Sequence, residues 1–375
     1  MPLVIDHVKT PEDISIDILS NILNNARVID YNLSPLGRGV LSNVQVLRVI
    51  TSTGNLQFIA KFRKMEIPLK DLFQVEAAFY HLVDELEDID AFPFRLTKAL
   101  ATGSHWILLE YISENVISLD VHQSSPKDQF DNLIYRLAKM HEYCWLESTK
   151  STKLIKILNK YSTKLADAPG VGQQLSASKR RDQFEASWPA VRKRLVGFLS
   201  SEALHYLDEI VKWTAAKERI EKIKSLVEEN RYTLCHGDFH LGNILLSAGV
   251  ESCDQRPWLL DWSFSGVGNP LVDLAFFLSI AMNEITFQDT QRVLQNYFNV
   301  IRDKSQLSWD QFLSMLRHSL LNQFVILVCY DSLCRQMADS SGEMAKVQHR
   351  HFDRVNTRCA NLILLYNFKD GKILT

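Results

Sequence analysis

The stretch Cys235-His236-Gly237-Asp238-Phe239-His240-Leu241-Gly242-Asn243 decides how this chain is read. An acid, Asp238, is followed five residues later by an amide, Asn243. Eighteen residues beyond Asn243, Leu259-Leu260-Asp261-Trp262 sets a second acid at the end of an apolar strand. A first carboxylate of this kind orients an acceptor hydroxyl and takes its proton. An amide carbonyl and a second carboxylate are hard oxygen ligands suited to Mg2+. Such a metal neutralises charge between β- and γ-phosphates, so phosphoryl transfer rests mainly on positioning and electrostatics.

Working outward, the matching parts occur upstream in order. Phe58-Ile59-Ala60-Lys61 ends an apolar strand in a lysine, as in sites where a strand lysine pairs with α/β-phosphates. Glu76 lies fifteen residues later in the next helix, placed to hold that lysine. Gly37-Arg38-Gly39-Val40-Leu41-Ser42-Asn43 lies between two strands, and its glycines let backbone N–H groups approach phosphates. Ser42 either donates to a phosphate or caps the turn.

The surrounding pattern gives the fold class. Thr10, Pro11, Glu12 and Asp13 open a helix whose stripe is Ile14, Ile18, Leu19 and Ile22. Val28–Leu33 is a strand, broken by Leu36-Gly37-Arg38-Gly39. Val44–Ile50 and Leu56–Phe62 are strands joined across Thr51–Asn55, and Pro68–Leu86 is a helix. Phe94–Ala101 and Trp106–Ile112 are two more strands. Strand, strand, strand, helix, strand, strand is a small, mostly antiparallel sheet with one helix, hence α+β. Neither a Rossmann fingerprint nor a Walker loop is present. Past Ser113 the pattern turns helical: Asp128–Tyr143, two or three Lys- and Glu-rich helices in 147–230, and almost all of 271–375. Short strands are expected at Tyr232–Leu234, Ile244–Leu246 and Trp258–Leu260.

Bulk properties exclude several classes. The 375 residues carry 42 basic and 44 acidic side chains, a net charge of −2 that gives no pull toward nucleic acid or an anionic membrane. Six scattered cysteines without a C-x-x-C pair argue against a disulfide framework and for a reducing compartment. The N-terminus lacks the character of a signal peptide. The most apolar runs, Leu271–Met282 and Phe324–Tyr330, are shorter than a membrane span. A cytoplasmic protein without nucleic-acid or membrane partners is expected.

With these motifs the chain resembles the aminoglycoside phosphotransferase/choline kinase-like kinases, which share the protein-kinase fold. LGRGVLSNV, FIAKF, VEAAFY, LLEYI, LAKMH, HGDFHLGNILL and LLDWSFSGVGNPLVDLAFF carry the likeness, over roughly 28–146 and 232–282. Protein kinases show H-R-D and D-F-G instead. The resemblance implies two lobes: residues 1–112 as the sheet lobe, and 113–375 as a larger, mainly helical lobe. In the second, the 147–230 insertion shapes the acceptor pocket. It implies a small-molecule kinase using ATP or GTP with Mg2+ to phosphorylate a hydroxyl. Asp238 is then the base, Asn243 and Asp261 the metal ligands, Lys61 the phosphate contact, and the backbone of Glu110, Tyr111 and Ile112 the adenine hinge. The loop after Asp238 departs from the choline-kinase form, so choline is not favoured. Two other readings compete: a pseudokinase-type nucleotide-binding regulator, and a protein kinase. An H-x-D-x-H metal pattern, His236-Asp238-His240, would leave Lys61 and Asp261 without roles. Asp273 is expected to brace the loop by accepting backbone hydrogen bonds, with His141, Trp188 and Asp331 structural.

Overall fold

The computed structural model describes residues 1–38, 42–64, 72–86, 89–113, 115–119, 127–146, 156, 160, 177–214, 233–248, 256–281, 287–338 and 342–367. In chain order the elements are β1 (Leu3–Val4), α1 (Ile16–Ile22), β2 (Val28–Arg38), β3 (Ser42–Thr51), β4 (Gly54–Arg63), α2 (Leu72–Asp84), β5 (Ala99–Thr102), β6 (Trp106–Glu110) and β7 (Val116–Ser118). They continue with α3 (Lys127–Tyr143), α4 (Ala177–Leu195), α5 (Ser201–Thr214), β8 (Thr233–Cys235), β9 (Ile244–Ser247), β10 (Trp258–Leu259), β11 (Gly266–Gly268), α6 (Leu271–Ala281), α7 (Phe287–Ser305), α8 (Trp309–Ala338) and α9 (Gly342–Asn367). The chain forms two compact units. The first holds Met1–Ile117, Thr152–Asp167 and Leu245–Ser265; the second holds Ser118–Ser151, Ala168–Ile244 and Gly266–Thr375.

In the first unit a six-stranded sheet runs in the order β1-β5-β6-β4-β3-β2. All its pairs are antiparallel except β1 with β5. Side chains alternate across a strand, so the register decides what each face buries. Leu47, Val49, Phe58, Ala60, Phe62, Trp106 and Leu108 line one face and pack with Leu19 and Ile22 of α1. Lys61 and its partners Val44 and Ile107 fall on the other. Elsewhere in this unit Phe79 of α2 stacks on Trp262, with ring centroids 3.7 Å apart and planes at 8°. That pair joins the 245–265 segment to α2 and fixes the chain next to Asp261.

The second unit is built round α6, which is buried from Leu271 to Ala281 except at Val272. A helix apolar on every side belongs in a core. Phe277 stacks on Phe130 of α3 at 5.2 Å and meets Phe239 at 5.0 Å. Arg292 of α7 grips Asp131 of α3 through two hydrogen bonds of 2.6 and 3.1 Å. Arg194 of α4 bonds Asp331 of α8 and Asp353 of α9. β8 and β11 form a two-stranded pair beneath the loop that carries Asp238.

Several expectations need correction. The helix expected from Thr10 is a 3-10 turn, Pro11–Asp13, followed by α1. Asp13 closes the turn by accepting from the backbone N–H of Lys9 and Thr10, and Ser15 accepts from Ile18 N to start α1 afresh. β2 does not stop at Leu33 but runs to Arg38, absorbing Pro35 and Gly37 by a register shift between them. Residues 94–98 are not a strand of the main sheet. Arg95 N donates to Pro257 O, Leu259 N donates to Arg95 O, and the strand starts at Ala99. One segment among the described residues, Trp309–Cys329, is long and apolar enough to cross a membrane by length and composition. A search for uninterrupted apolar runs misses it because Ser, Asn and Gln punctuate it. Most of it is buried inside the protein, as expected of a core helix. Of the 147–230 insertion, residues 156, 160 and 177–214 are described; the rest of it, Gly39–Leu41 and the start of the helix expected from Pro68 lie outside the described residues.

Candidate active site

Lys61 is a buried lysine with a specific set of oxygens around it. Its Nζ lies 2.6 Å from Glu76 Oε2, 2.9 Å from Asp261 Oδ1 and 3.3 Å from Ser263 Oγ. Burial alone would lower its pKa, but the carboxylates of Asp261 and Glu76 outweigh that and raise it, so the ammonium stays charged. Burial raises the carboxyl of Glu76, and Lys61 opposes the shift. Ser263, absent from the sequence reading, is placed to bond Glu76 Oε2 (2.9 Å) and Asp261 Oδ1 (2.6 Å). The only signal for it was its position two residues past Asp261.

The elements explain this grouping. Lys61 lies opposite Val44 and Ile107 in adjacent strands, and Glu76 is a buried position of α2. Asp261 follows β10 with φ +60°, a left-handed conformation uncommon for a residue with a side chain. Its carboxylate is 40% exposed, whereas that of Glu76 is 1% exposed. Glu76 therefore anchors the lysine, while Asp261 presents a carboxylate to solvent.

Changing Lys61 to Met would leave Glu76 buried without its cation. We expect a loss of about 3–5 kcal/mol at neutral pH. A carboxyl whose folded pKa is raised contributes stability below its unfolded pKa and loses it as pH rises through the folded value. The deficit of Lys61→Met should therefore shrink as pH falls into the carboxyl range. Urea denaturation at several pH values checks this; a pH-independent deficit would contradict it.

The other expected residues of this unit fall around the same strands. Ser42 is buried and lies opposite Arg63, on the Lys61 face by register. Asn43 pairs with Phe62 and falls on the opposite face, so its side chain is not brought to Lys61. Gly37 pairs with Val44 near the end of β2, and Gly39 is outside the described residues. Glu110 ends β6 opposite Phe58, and Tyr111 and Ile112 run on from it.

In the second unit Asp238 and Asn243 are held together. Asn243 Nδ2 donates to Asp238 O (3.0 Å) and Oδ2 (3.3 Å). That use of the nitrogen leaves Oδ1, the atom able to bind a metal, without a hydrogen bond among the described residues. His240 Nδ1 accepts from Gly242 N at 3.0 Å, which assigns the neutral ring's proton to Nε2, 3.5 Å from Asp238 Oδ2. His236 Nδ1 accepts from Asp238 N at 3.2 Å, and Gly237 turns the chain at φ +82°. His236 is buried and braces the loop.

Asp273 supports this loop from α6. Its Oδ2 accepts from His236 N and its Oδ1 from Gly237 N, both at 2.7 Å. His141 Nε2 lies 3.2 Å from the same carboxylate, and His141 Nδ1 lies 2.6 Å from Tyr297 OH. The brace expected of Asp273 is present; Tyr297 was not foreseen, because nothing in its sequence neighbourhood marks it. His141, Cys235 and Asp273 put ligand-type atoms within 4.8 Å of one another. Both His141 nitrogens and both Asp273 oxygens already have protein partners, and burial pushes the Cys235 thiol well above its ordinary pKa. The cluster is a hydrogen-bonded support.

The comparisons with known proteins follow this geometry. A family profile described as "Phosphotransferase enzyme family" matches residues 33–307. Among solved structures, a Ralstonia eutropha JMP134 protein assigned by inference as an aminoglycoside phosphotransferase is similar, with TM-score 0.51 and 14% identity over 92% of this chain and 97% of that one. A choline kinase from Cryptosporidium parvum Iowa II gives TM-score 0.51 and 11% identity over 96% and 98%. At these identities the likeness establishes the fold, the α+β protein-kinase-like one expected from the sequence. No curated protein sequence matches the chain.

Proposed function

Since the chain belongs to the phosphotransferase enzyme family, we propose that it transfers the γ-phosphoryl group of ATP to a hydroxyl of a small molecule. The observation that carries this reading is Lys61, kept charged at a buried position by Glu76 and Asp261. A fixed cation beside a partly exposed carboxylate suits a nucleotide phosphate and its counter-ion.

The roles divide as follows. Lys61 contacts the nucleotide phosphates and Glu76 holds it there. The backbone around Gly37, Gly39, Ser42 and Asn43 covers the phosphates, and the backbone of Glu110, Tyr111 and Ile112 receives the base. Asn243 through Oδ1 and Asp261 through its carboxylate would hold Mg2+, and their hard oxygen donors fit that ion. Bound there, the ion supplies charge neutralisation on the phosphates. Asp238 orients the acceptor hydroxyl. As the acceptor oxygen bonds to the γ-phosphorus, the γ-phosphorus–oxygen bond to ADP breaks with its electrons going to ADP. The hydroxyl proton passes to Asp238. The lobes of this reading are residues 1–112 and 113–375, with the 147–230 insertion beside the acceptor. The two solved relatives are named for choline and aminoglycoside acceptors, which supports a small-molecule alcohol here.

Purified protein incubated with ATP, Mg2+ and a panel of alcohols should release ADP in step with a phosphate monoester seen by mass spectrometry. Chelation by EDTA should stop both. ATP binding without any phosphorylated product would overturn the assignment in favour of a non-catalytic nucleotide binder.

A further inference from the structure

The hydroxyl of Ser263 touches only charged groups of the Lys61 site. Its Oγ lies 3.3 Å from Lys61 Nζ, 2.9 Å from Glu76 Oε2 and 2.6 Å from Asp261 Oδ1. The residue is buried. Among the described residues its hydroxyl makes no bond to the backbone, so capping the turn it stands in does not account for it.

The ammonium of Lys61 has three N–H donors. Glu76, Asp261 and Ser263 offer three acceptors, so every proton has a protein partner. Such a lysine reaches a phosphate oxygen only by giving up one of the three. The bonds to Glu76 and Asp261, at 2.6 and 2.9 Å, join opposite charges and are the strong ones. The bond to Ser263 is the longest and goes to a neutral oxygen, so it yields first.

The hydroxyl itself has one proton and two carboxylates within reach. A separation of 2.6 Å from Asp261 is that of a charge-assisted O–H···O⁻ bond, and the proton goes there. Glu76 already holds Lys61. Lys61 and Ser263 therefore meet on the same oxygen of Asp261, Oδ1. The Asp261 side chain is 40% exposed, and a carboxylate so open keeps its rotamer only where bonds fix it.

We propose that Ser263 is a positioning residue for the nucleotide and its metal. It engages the third proton of Lys61 until a phosphate oxygen takes it. It also keeps the carboxylate of Asp261 oriented for Mg2+ while Lys61 turns to the phosphate, as hydrogen-bonded partners of metal ligands do. This rests on the phosphotransfer reading above and adds a working part to it.

The test uses the full chain in calorimetric titrations with a non-hydrolysable ATP analogue, once with Mg2+ and once with EDTA. Mg2+ should tighten binding to the wild type. In Ser263→Ala that gain should shrink by about tenfold, the lower end of what the loss of such a partner costs in metal affinity. Affinity in EDTA should hold or tighten, because Lys61 no longer gives up a bond to meet the phosphate. Ser263→Thr keeps the hydroxyl and should recover most of the gain. Ser263→Cys fills the space with a weak donor and should behave as Ala. Urea denaturation shows that each variant is folded. A full Mg2+ gain in the Ala or Cys variant would overturn the proposal. So would an equal weakening with and without Mg2+, the mark of a merely structural side chain. A wild type that binds the analogue, gains from Mg2+ and yields no phosphorylated product with ATP would remove phosphotransfer and leave Ser263 in its role. A wild type that binds no nucleotide would overturn both.

Discussion

Asp238→Asn lowers kcat by about 10²–10⁴-fold while the unfolding free energy stays within about 0.5 kcal/mol of wild type. The size follows from the role. An amide cannot accept the hydroxyl proton at the moment the oxygen attacks, and no other carboxylate lies on this loop. The neutrality toward folding follows from the contacts. The stronger bond from Asn243 Nδ2 goes to the backbone carbonyl of residue 238, which the substitution keeps. The longer one, to Oδ2, finds an amide oxygen in its place. The brace from Asp273 reaches His236 and Gly237, not the side chain of residue 238. Steady-state kinetics beside urea denaturation give the two numbers. A kcat within tenfold of wild type would remove Asp238 as the base, whatever the fate of the family assignment.

How much of this was legible in the sequence depends on the range of the interaction. β3, β4, β6 and α2 declare themselves through local pattern: the β-rich Val44, Val46, Leu47 and Val49, the run Phe58-Ile59-Ala60, and Leu72, Val75, Phe79 and Leu82 on one helical face. Lys61 and Glu76 are fifteen residues apart, so strand-then-helix geometry was enough to pair them. Their meeting with Asp261, 200 positions from Lys61, came from motif order alone. Ser263 and Tyr297 were invisible for a different reason. A lone hydroxyl gains meaning only from the partner it is folded against, and neither residue sits in a periodic or spaced pattern. β1, β7 and β11 are two or three residues long, below the length at which alternation registers. β1 pairs parallel to β5 across nearly a hundred residues. The continuation of β2 through Pro35 and Gly37 ran against residue preference. A bulge at the edge of the sheet tolerates a residue without an N–H, which the local sequence cannot announce.

Asp273→Ala should remove about 3–5 kcal/mol of stability and take activity with it. Asp273 is fully buried, and its two oxygens serve three donors: the backbone N–H groups of His236 and Gly237 and the Nε2 of His141. Ala would leave all three unsatisfied where water has little access, and each orphaned donor costs about 1–3 kcal/mol. Moving the His141 proton to Nδ1 gives no exit, because the Tyr297 hydroxyl that donates to Nδ1 would then lose its acceptor. Asp273→Asn is the sharper variant. It keeps the volume but offers one acceptor oxygen and one amino group, so it must point a donor at a donor on one side. Its cost should lie between those of wild type and Ala. Because the orphaned groups belong to the two residues before Asp238, the displaced backbone moves the reactive carboxylate itself. In the Asn variant, kcat measured well below the unfolding transition should fall while the KM of ATP, which the proposed reading assigns to Lys61 and its partners, changes little. A variant destabilised as expected but with full kcat would show that the brace serves folding alone and that Asp238 keeps its position by other means.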